Sequence, residues 1–180
     1  MGKCLFLLQW SIFWRFKLAE KASALFFRGS SVWEGPMTNF VNMKGGIVQH
    51  AHMIMEISTD SEGIVTQKNI VVKPDGTRTG YEGIAKMRVE GNRVVNAEPM
   101  TEDPNTKNKI QNHLLEGYIG DNHIYILESY DEILPEGKVE HRRNDVHYYF
   151  FNNTEMVILA DVFVNGKLLV FANTRLKRVK

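Results

Sequence analysis

The feature that most constrains this chain is a pair of apolar runs near its end, joined by Asn165-Gly166. Asn-Gly supplies the two positive φ angles of a type I′ turn, so residues 156–178 are predicted to form a β-hairpin. The turn sets the register, which places Phe171 opposite Ala160 on one face of the hairpin. Both faces carry mostly apolar side chains, which predicts a central hairpin that is covered on both sides.

The body of the chain reads as a meander. From Val32 onward, strand signals alternate with turn signals such as Pro74-Asp75-Gly76, and no helical segment lies between them. A meander of about ten strands has to avoid free edges, and closing into a barrel does so. We therefore predict an all-β fold, an antiparallel up-and-down β-barrel of about 8–10 strands over residues 31–180, enclosing roughly one small ligand. A two-sheet sandwich with a solid core is the alternative.

Residues 1–30 differ in composition from the rest of the chain and are predicted to form an N-terminal helical segment. No Gly or Pro occurs between Lys3 and Arg28, and Leu, Ala, Lys and Glu are frequent. The apolar run of residues 4–14 is shorter than the ~20 residues that span a bilayer. Three interpretations stay open: a helix packed over the barrel or its open end, an interfacial membrane anchor, or a signal sequence or upstream extension.

The net charge bears on whether the protein binds nucleic acid, and the cysteine content bears on the compartment in which it is found. The formal net charge is +1 over 180 residues, with both signs scattered along the chain, whereas a nucleic-acid-binding protein shows a basic stripe. The single cysteine, Cys4, excludes an internal disulfide and fits a reducing compartment. We expect a cytoplasmic protein that does not bind nucleic acid. Residues 4–27 would provide any peripheral membrane contact or homodimer interface.

Candidate ligand contacts are the residues predicted to line the interior. Adaptable sulfur-containing side chains suit an irregular apolar guest, although each of these residues could equally be ordinary packed core. His50 and His52 share one face of a strand, a spacing able to bind a metal if a neighbouring strand supplied a third ligand, but a polar outer face is the favoured interpretation. The sequence contains no phosphate loop, nucleophile elbow or cysteine-based site, so no catalytic residue is predicted. The predicted lining residues are Met53, Met55, Tyr81, Met87 and Phe171.

A strand that opens with Trp33-Glu34-Gly35 after a helix, the meander, and an arginine-rich last strand resemble the calycin superfamily of lipocalins, fatty-acid-binding proteins and haem-binding nitrobindins. Residues 33–52, 66–83 and 165–179 are similar to bacterial lipocalin-like domains of unknown function. In lipocalins a first-strand tryptophan packs beneath a last-strand arginine, and Trp33 with Arg175 or Arg178 would fill these positions. A guanidinium stacked on the indole would then seal one end of the barrel. The chain departs from the pattern at Ser31, where lipocalins have glycine.

The resemblance also bears on the ligand. In fatty-acid-binding proteins, inward arginines and tyrosines hold the ligand's carboxylate. The resemblance implies the same role here for Arg142 or Arg143, with Tyr148 or Tyr149 beside the arginine. Adjacent residues of a strand point to opposite faces, and a buried arginine needs an anionic partner. An internal ion pair with Asp145 or Glu140 is the alternative. Haem binding of the nitrobindin kind would require a histidine in the last strand, where this chain has Phe171, so no cofactor is predicted.

These observations together predict a non-catalytic carrier or sensor of a small apolar or amphipathic molecule held inside the barrel. One alternative is a small enzyme, such as an isomerase, cyclase or chromophore lyase, that uses the same cavity and an ionisable residue with a perturbed pKa. The other is an oligomerisation or membrane-surface module that acts through the N-terminal helix.

Overall fold

The fold is known from a computed structural model that describes residues 22–41 and 46–180. Within these residues a short helix, α1 (Ala22–Phe26), precedes ten antiparallel strands, and a 3₁₀ turn (Pro135–Gly137) joins two of them. The strands are β1 (Ser30–Val41), β2 (Ile47–Thr59), β3 (Val65–Val72), β4 (Arg78–Glu90), β5 (Arg93–Asn96), β6 (Lys109–Ile119), β7 (His123–Ile133), β8 (Val139–Asn152), β9 (Glu155–Val164) and β10 (Lys167–Arg178).

The sheet closes on itself. Each strand pairs with its neighbours in the sequence, and β1 pairs with both β2 and β10. In the closing pair, Trp33 lies opposite Arg178 and Val41 lies opposite Val170. The predicted antiparallel barrel is therefore confirmed, and the two-sheet sandwich is wrong. Within the described ranges, no helix is long and apolar enough to cross a membrane.

The closing pair is interrupted at Gly35 and Pro36, which have no partners on β10 in a register that is otherwise continuous. A Cβ at Gly35 would lie 2.0 Å from the carbonyl oxygen of Arg175, so only glycine allows the two backbones to approach this closely. Pro36 has no N–H to donate across the pair, as expected of a proline at a bend.

The last hairpin has the predicted turn but not the predicted register beyond it. Asn165 and Gly166 have φ angles of 51° and 75°, as a type I′ turn requires. A bulge between Leu168 and Val170 then shifts the pairing by one residue, which places Ala172 opposite Ala160. The predicted pairing of Ala160 with Phe171 is wrong.

The bulge exchanges the two faces of β10 beyond it. Phe171 pairs with Asp161 and lies against Phe40, with a ring-centroid distance of 5.9 Å. Arg175 pairs with Val157 and reaches Glu155, and its guanidinium lies 6.0 Å from the Phe151 ring. Phe171 and Arg175 are thus on the outer face of β10. The alternate residues Ala172, Thr174 and Leu176 are on its inner face and are buried.

Helix α1 and the aromatic side chains around it close one end of the barrel. The Phe26 ring lies 6.1 Å from that of Trp33 and 5.4 Å from that of Phe150, and all three are buried. The buried Ser23 hydroxyl lies 2.5 and 2.9 Å from the carbonyl oxygens of Gly120 and Asp121, which anchors α1 to the β6–β7 turn. Residues 22–26 are the helical part of the predicted segment that the structure describes, and they pack over this end of the barrel, while the membrane-anchor and signal-sequence interpretations of residues 1–30 stay predictions. The rest of the predicted helix, residues 1–21, lies outside the described residues.

Trp33 is at this closed end, but no arginine within residues 22–41 and 46–180 stacks on it. Its indole Nε1–H donates to the Ser31 hydroxyl at 2.9 Å. The exposed Arg178 donates instead to the Lys180 carbonyl at 3.2 Å. In the described part of the chain, the arginines that lie over aromatic rings are Arg143 and Arg175, over Phe163 and Phe151. The predicted guanidinium seal is therefore wrong, because phenyl rings cover the indole.

Candidate ligand-binding cavity

The barrel is hollow between this aromatic plug and its other end. The cavity has a volume of about 560 Å³, within the range of roughly 300–1,000 Å³ common for small-molecule sites. Its deep walls are mostly apolar, apart from the buried Gln67 and Tyr148, which are hydrogen-bonded to each other, and its outer part carries charged and amide side chains from β7, β8 and the loop before β6. The deep walls include Met53, Met87, Leu115, Ile126, Val146, Ile158, Ala160 and Ala172.

The structure separates the predicted site residues into three groups. Five of them line the cavity: Met53, Tyr81, Met87, Arg142 and Tyr148. Two are packed in the core below it, Met55 at 0% exposure and Trp33 at 2%. Three lie on the outside of the barrel: Arg143, Phe171 and Arg175. The contribution of the first group to ligand binding stays a prediction.

The Arg142 side chain points into the barrel, where its guanidinium forms ion pairs with two carboxylates. Its Nε contacts Glu132 Oε2, and its Nη2 lies 3.3 Å from Glu140 Oε2. Glu132 is 1% exposed and also accepts hydrogen bonds from Thr106 Oγ1 at 2.9 Å and Asn108 Nδ2 at 2.6 Å. The internal ion pair with Glu140, one of the two alternatives for Arg142, is confirmed, and Glu132 is an additional partner that the sequence did not indicate.

Arg143 has the other orientation, as expected for adjacent strand residues. Its Nε and Nη2 donate to the two carboxylate oxygens of Asp145 at 3.1 and 2.8 Å. The guanidinium also lies 5.8 Å from the Phe163 ring on the outer face. The internal pair with Asp145 is confirmed, and Arg143 lies outside the cavity, whereas Arg142 lines the cavity while it is paired with Glu132 and Glu140.

The loop before β6 lies at the mouth of the cavity and is tied to the wall. Asn105 Oδ1 accepts from the backbone N–H of Glu82 at 2.9 Å, and its Nδ2 donates to the Glu82 carbonyl at 3.1 Å. Asp103 Oδ1 accepts from the backbone N–H groups of Asn105 and Thr106, both at 2.8 Å. With Thr106 and Asn108 bound to Glu132, the loop is attached to both β4 and β7.

Glu128 is the charged group closest to the apolar part of the cavity wall, two positions along β7 from Ile126. One oxygen lies 3.1 Å from His113 Nε2, and the other accepts from Asn144 Nδ2 at 2.9 Å. His113 Nδ1 accepts from the Met100 N–H at 2.9 Å, so the ring hydrogen is on Nε2 and is donated to Glu128. This network joins β6, β7 and β8 and was not predicted from the sequence.

Three phenols complete the polar part of the wall. Burial raises the pKa of Tyr148 to about 12, against the opposite effect of its hydrogen bond with Gln67. Burial, with Glu128 as the next cause, also raises the pKa of Tyr130 and of Tyr81. Tyr81 is 54% exposed as a residue, but its hydroxyl lies 3.7 Å from the Cβ position of Gly83 inside the mouth. All three phenols are therefore hydrogen-bond donors at neutral pH.

The candidate metal ligands lie on the outer face of β2, away from the cavity. His50 Nδ1 is 3.4 Å from Thr38 Oγ1, and His52 Nε2 is 3.9 Å from Glu34. Across residues 22–41 and 46–180, no group of three or more His, Cys, Asp or Glu side chains could hold a metal ion. The polar-face interpretation of the two histidines agrees with this placement.

The fold and the cavity define a closed ten-stranded antiparallel β-barrel that could hold a small ligand. The chain is similar to the crystal structure of a protein of unknown function from the DUF3598 family of Nostoc punctiforme, with a TM-score of 0.52 and 10% identity. The match covers 84% of this chain and 47% of that one, so this chain spans about half the length of its structural relative. At this identity the similarity shows the fold alone, which is consistent with a calycin-like barrel. No protein-family model and no curated protein matches the chain.

Proposed function

We propose that this protein binds and carries a small, largely apolar ligand inside the barrel without changing it chemically. The observation that carries the proposal is the cavity of about 560 Å³, whose depth is mostly apolar and whose outer part has a few fixed polar groups. Such a division suits an amphipathic molecule, because the apolar part loses contact with water while the polar end keeps hydrogen bonds.

Filling the cavity tests this proposal. Ala160 and Ala172 lie side by side on the adjacent strands β9 and β10 and line the cavity, so A160F or A172F would place a phenyl ring in the space that the ligand needs. A T66F variant on the outer face of β3 adds the same ring without filling the cavity. We expect a neutral fluorescent probe, N-phenyl-1-naphthylamine, to bind the wild type and T66F but not the filled variants. Native mass spectrometry of protein purified from its host would identify what is carried. No bound species, together with no probe binding at micromolar protein, would refute the carrier function.

A second candidate is an enzyme that acts on the ligand in the same cavity. It is favoured by one observation, the proximity of the Glu128 carboxylate to the Tyr130 phenol, whose pKa it helps to raise. A carboxylate base next to phenol donors is an arrangement that can move a proton within a substrate and stabilise the resulting enolate. Incubating the molecule recovered from the host with wild type, E128Q and Y130F, and following it by NMR, would test this. An enzyme loses turnover in the variants with binding kept, whereas a carrier shows no turnover in any of them.

A further inference from the structure

The charge on the cavity wall is unbalanced. The charged side chains that line it, among the described residues, are three carboxylates, Asp103, Glu128 and Glu132, against one guanidinium, Arg142. Arg142 is occupied by Glu132 on the wall and by Glu140 beside it. Asp103 accepts backbone N–H groups of its own loop. The wall therefore carries a net negative charge that none of its own groups neutralises.

Among the three carboxylates on the wall, Glu128 is the one that has neither a cationic partner nor a backbone N–H donor among the described residues. Its two partners, the amide of Asn144 and the Nε2–H of His113, are neutral donors in the observed hydrogen-bond arrangement. His113 Nδ1 accepts a hydrogen bond from the Met100 N–H, so Nε2 is the ring nitrogen that donates to Glu128. The Glu128 side chain is 18% exposed, and that exposed surface lies on the cavity wall. A carboxylate that is largely removed from water is stabilised by a cation, and the ligand is the group that can bring one.

A second observation also points to a donor-rich ligand. Asn39 lines the cavity, and its side-chain oxygen is buried with no hydrogen-bond donor among the described residues. A buried acceptor without a partner is costly, and a bound molecule with N–H groups would satisfy it. The three carboxylates on the wall, against one guanidinium, also argue against a fatty acid, because they would repel its carboxylate.

We propose that the ligand is a cationic amphiphile, an apolar body that bears an ammonium or guanidinium group, and that Glu128 is its counter-ion. This inference rests on the proposed carrier function. The apolar body lies among the methionines and aliphatic side chains of the deep wall, and the cation lies at the level of Glu128 and Asn144. Charge-assisted hydrogen bonds then select the cation over a neutral or anionic group of the same size.

The test compares three probes of equal chain length, decylamine, decanol and decanoate, each measured by displacement of N-phenyl-1-naphthylamine at pH 7, where the amine is protonated and the acid ionised. We expect the wild type to bind decylamine on the order of tenfold more tightly than decanol, and decanoate most weakly. E128Q keeps the shape of the side chain and should bind decanol as before while losing the preference for the amine. E116Q, an exposed position on the outer face of β6, is the matched control and should retain it.

The outcomes separate this inference from the proposed function. If decanol displaces the probe but decylamine binds no more tightly, or if E128Q retains the amine preference, Glu128 is not the counter-ion and the carrier function stands. If none of the three molecules displaces the bound probe, the cationic-ligand inference is overturned, whereas the carrier function is refuted only if the probe itself does not bind and native mass spectrometry finds no bound species. If E128Q does not fold, as checked by circular dichroism, the ranking of the three probes on the wild type decides the question, because only a cation-selective cavity places the amine first.

Discussion

The ion pair between Glu132 and Arg142 gives the sharpest quantitative prediction. Replacing Arg142 with methionine keeps most of the side-chain volume but leaves Glu132, at 1% exposure, without its cation. Breaking a buried pair in this way costs about 3–5 kcal/mol, since the remaining charge is uncompensated. The Arg142 side chain is 27% exposed and water can partly replace it, so we expect the lower end of this range, ~3 kcal/mol. For a chain of this size, that corresponds to a fall in Tm of roughly 6–12 °C.

The neighbouring residue provides the matched control. Arg143 pairs with Asp145, but its side chain is 51% exposed, and exposed ion pairs contribute little to stability because water screens them. Urea unfolding followed by circular dichroism should therefore show R142M destabilised by several times more than R143M. Adding E132L to R142M removes the orphaned carboxylate, and the double variant should recover much of the loss. If R142M and R143M lowered the free energy of unfolding equally, or if the effects of R142M and E132L were additive in the double variant, the burial of Glu132 would not be what makes the loss of Arg142 costly.

Three further predictions follow from single contacts. G35A should lower the free energy of unfolding by about 1–3 kcal/mol or more, because the added Cβ meets the β10 backbone at 2.0 Å; thermal melts measure it. N105A removes both hydrogen bonds to Glu82 and should speed amide hydrogen exchange across residues 101–108, while β7 exchanges as before. Burial, and then the neighbouring His147, lower the pKa of His123 below its ordinary value of 6.5. The folded protein therefore favours the neutral imidazole, and this contribution to stability is present above pH 6.5 and is lost as the pH falls through the lower pKa of the folded state. H123Q should flatten the decrease in stability between about pH 7 and 5.

Local sequence signals were sufficient for most of the barrel. Asn165-Gly166 fixed its turn because two consecutive positive φ angles leave few other residue pairs. The alternation in β4 assigned Tyr81 and Met87 to the interior, since exchanging its two faces would bury Lys86 and Arg88. Adjacent strands with short turns then leave closure as the way to pair every edge.

The register of β10 could not be predicted in the same way. A bulge after Leu168 moves Phe171 to the outside and Ala172 to the inside, and the sequence does not oppose this because both faces of the hairpin are apolar. Where the hydrophobic pattern is the same on either face, a shift of one residue has little energetic penalty from burial alone. In the observed register the small Ala172 lies on the cavity wall and Phe171 packs against Phe40 on the outer face.

The polar network was missed for a different reason, because its members are distant in sequence. Glu128, His113 and Asn144 come from three strands, and their contacts depend on the relative register of β6, β7 and β8. A signal was present in β7, where Ile124, Ile126, Glu128, Tyr130 and Glu132 alternate on one face. The inward-facing residues of β7 begin with two isoleucines and continue with two glutamates and a tyrosine. This order indicates that the environment of the inner face changes along the strand from packed core to a polar cavity wall.

The two ends of the barrel differ in what opening them would cost, which predicts the path of ligand entry. Separating the aromatic plug would expose Phe26, Trp33 and Phe150, at about 1.5–3 kcal/mol for each large apolar side chain. Lifting the Asn105 loop breaks hydrogen bonds that are worth about 0.5–1.5 kcal/mol each and that water can replace. We therefore expect the ligand to enter beside Asn105 with its apolar body first, which passes Glu128 on the way to the methionines and leaves the polar end at the level of Glu128.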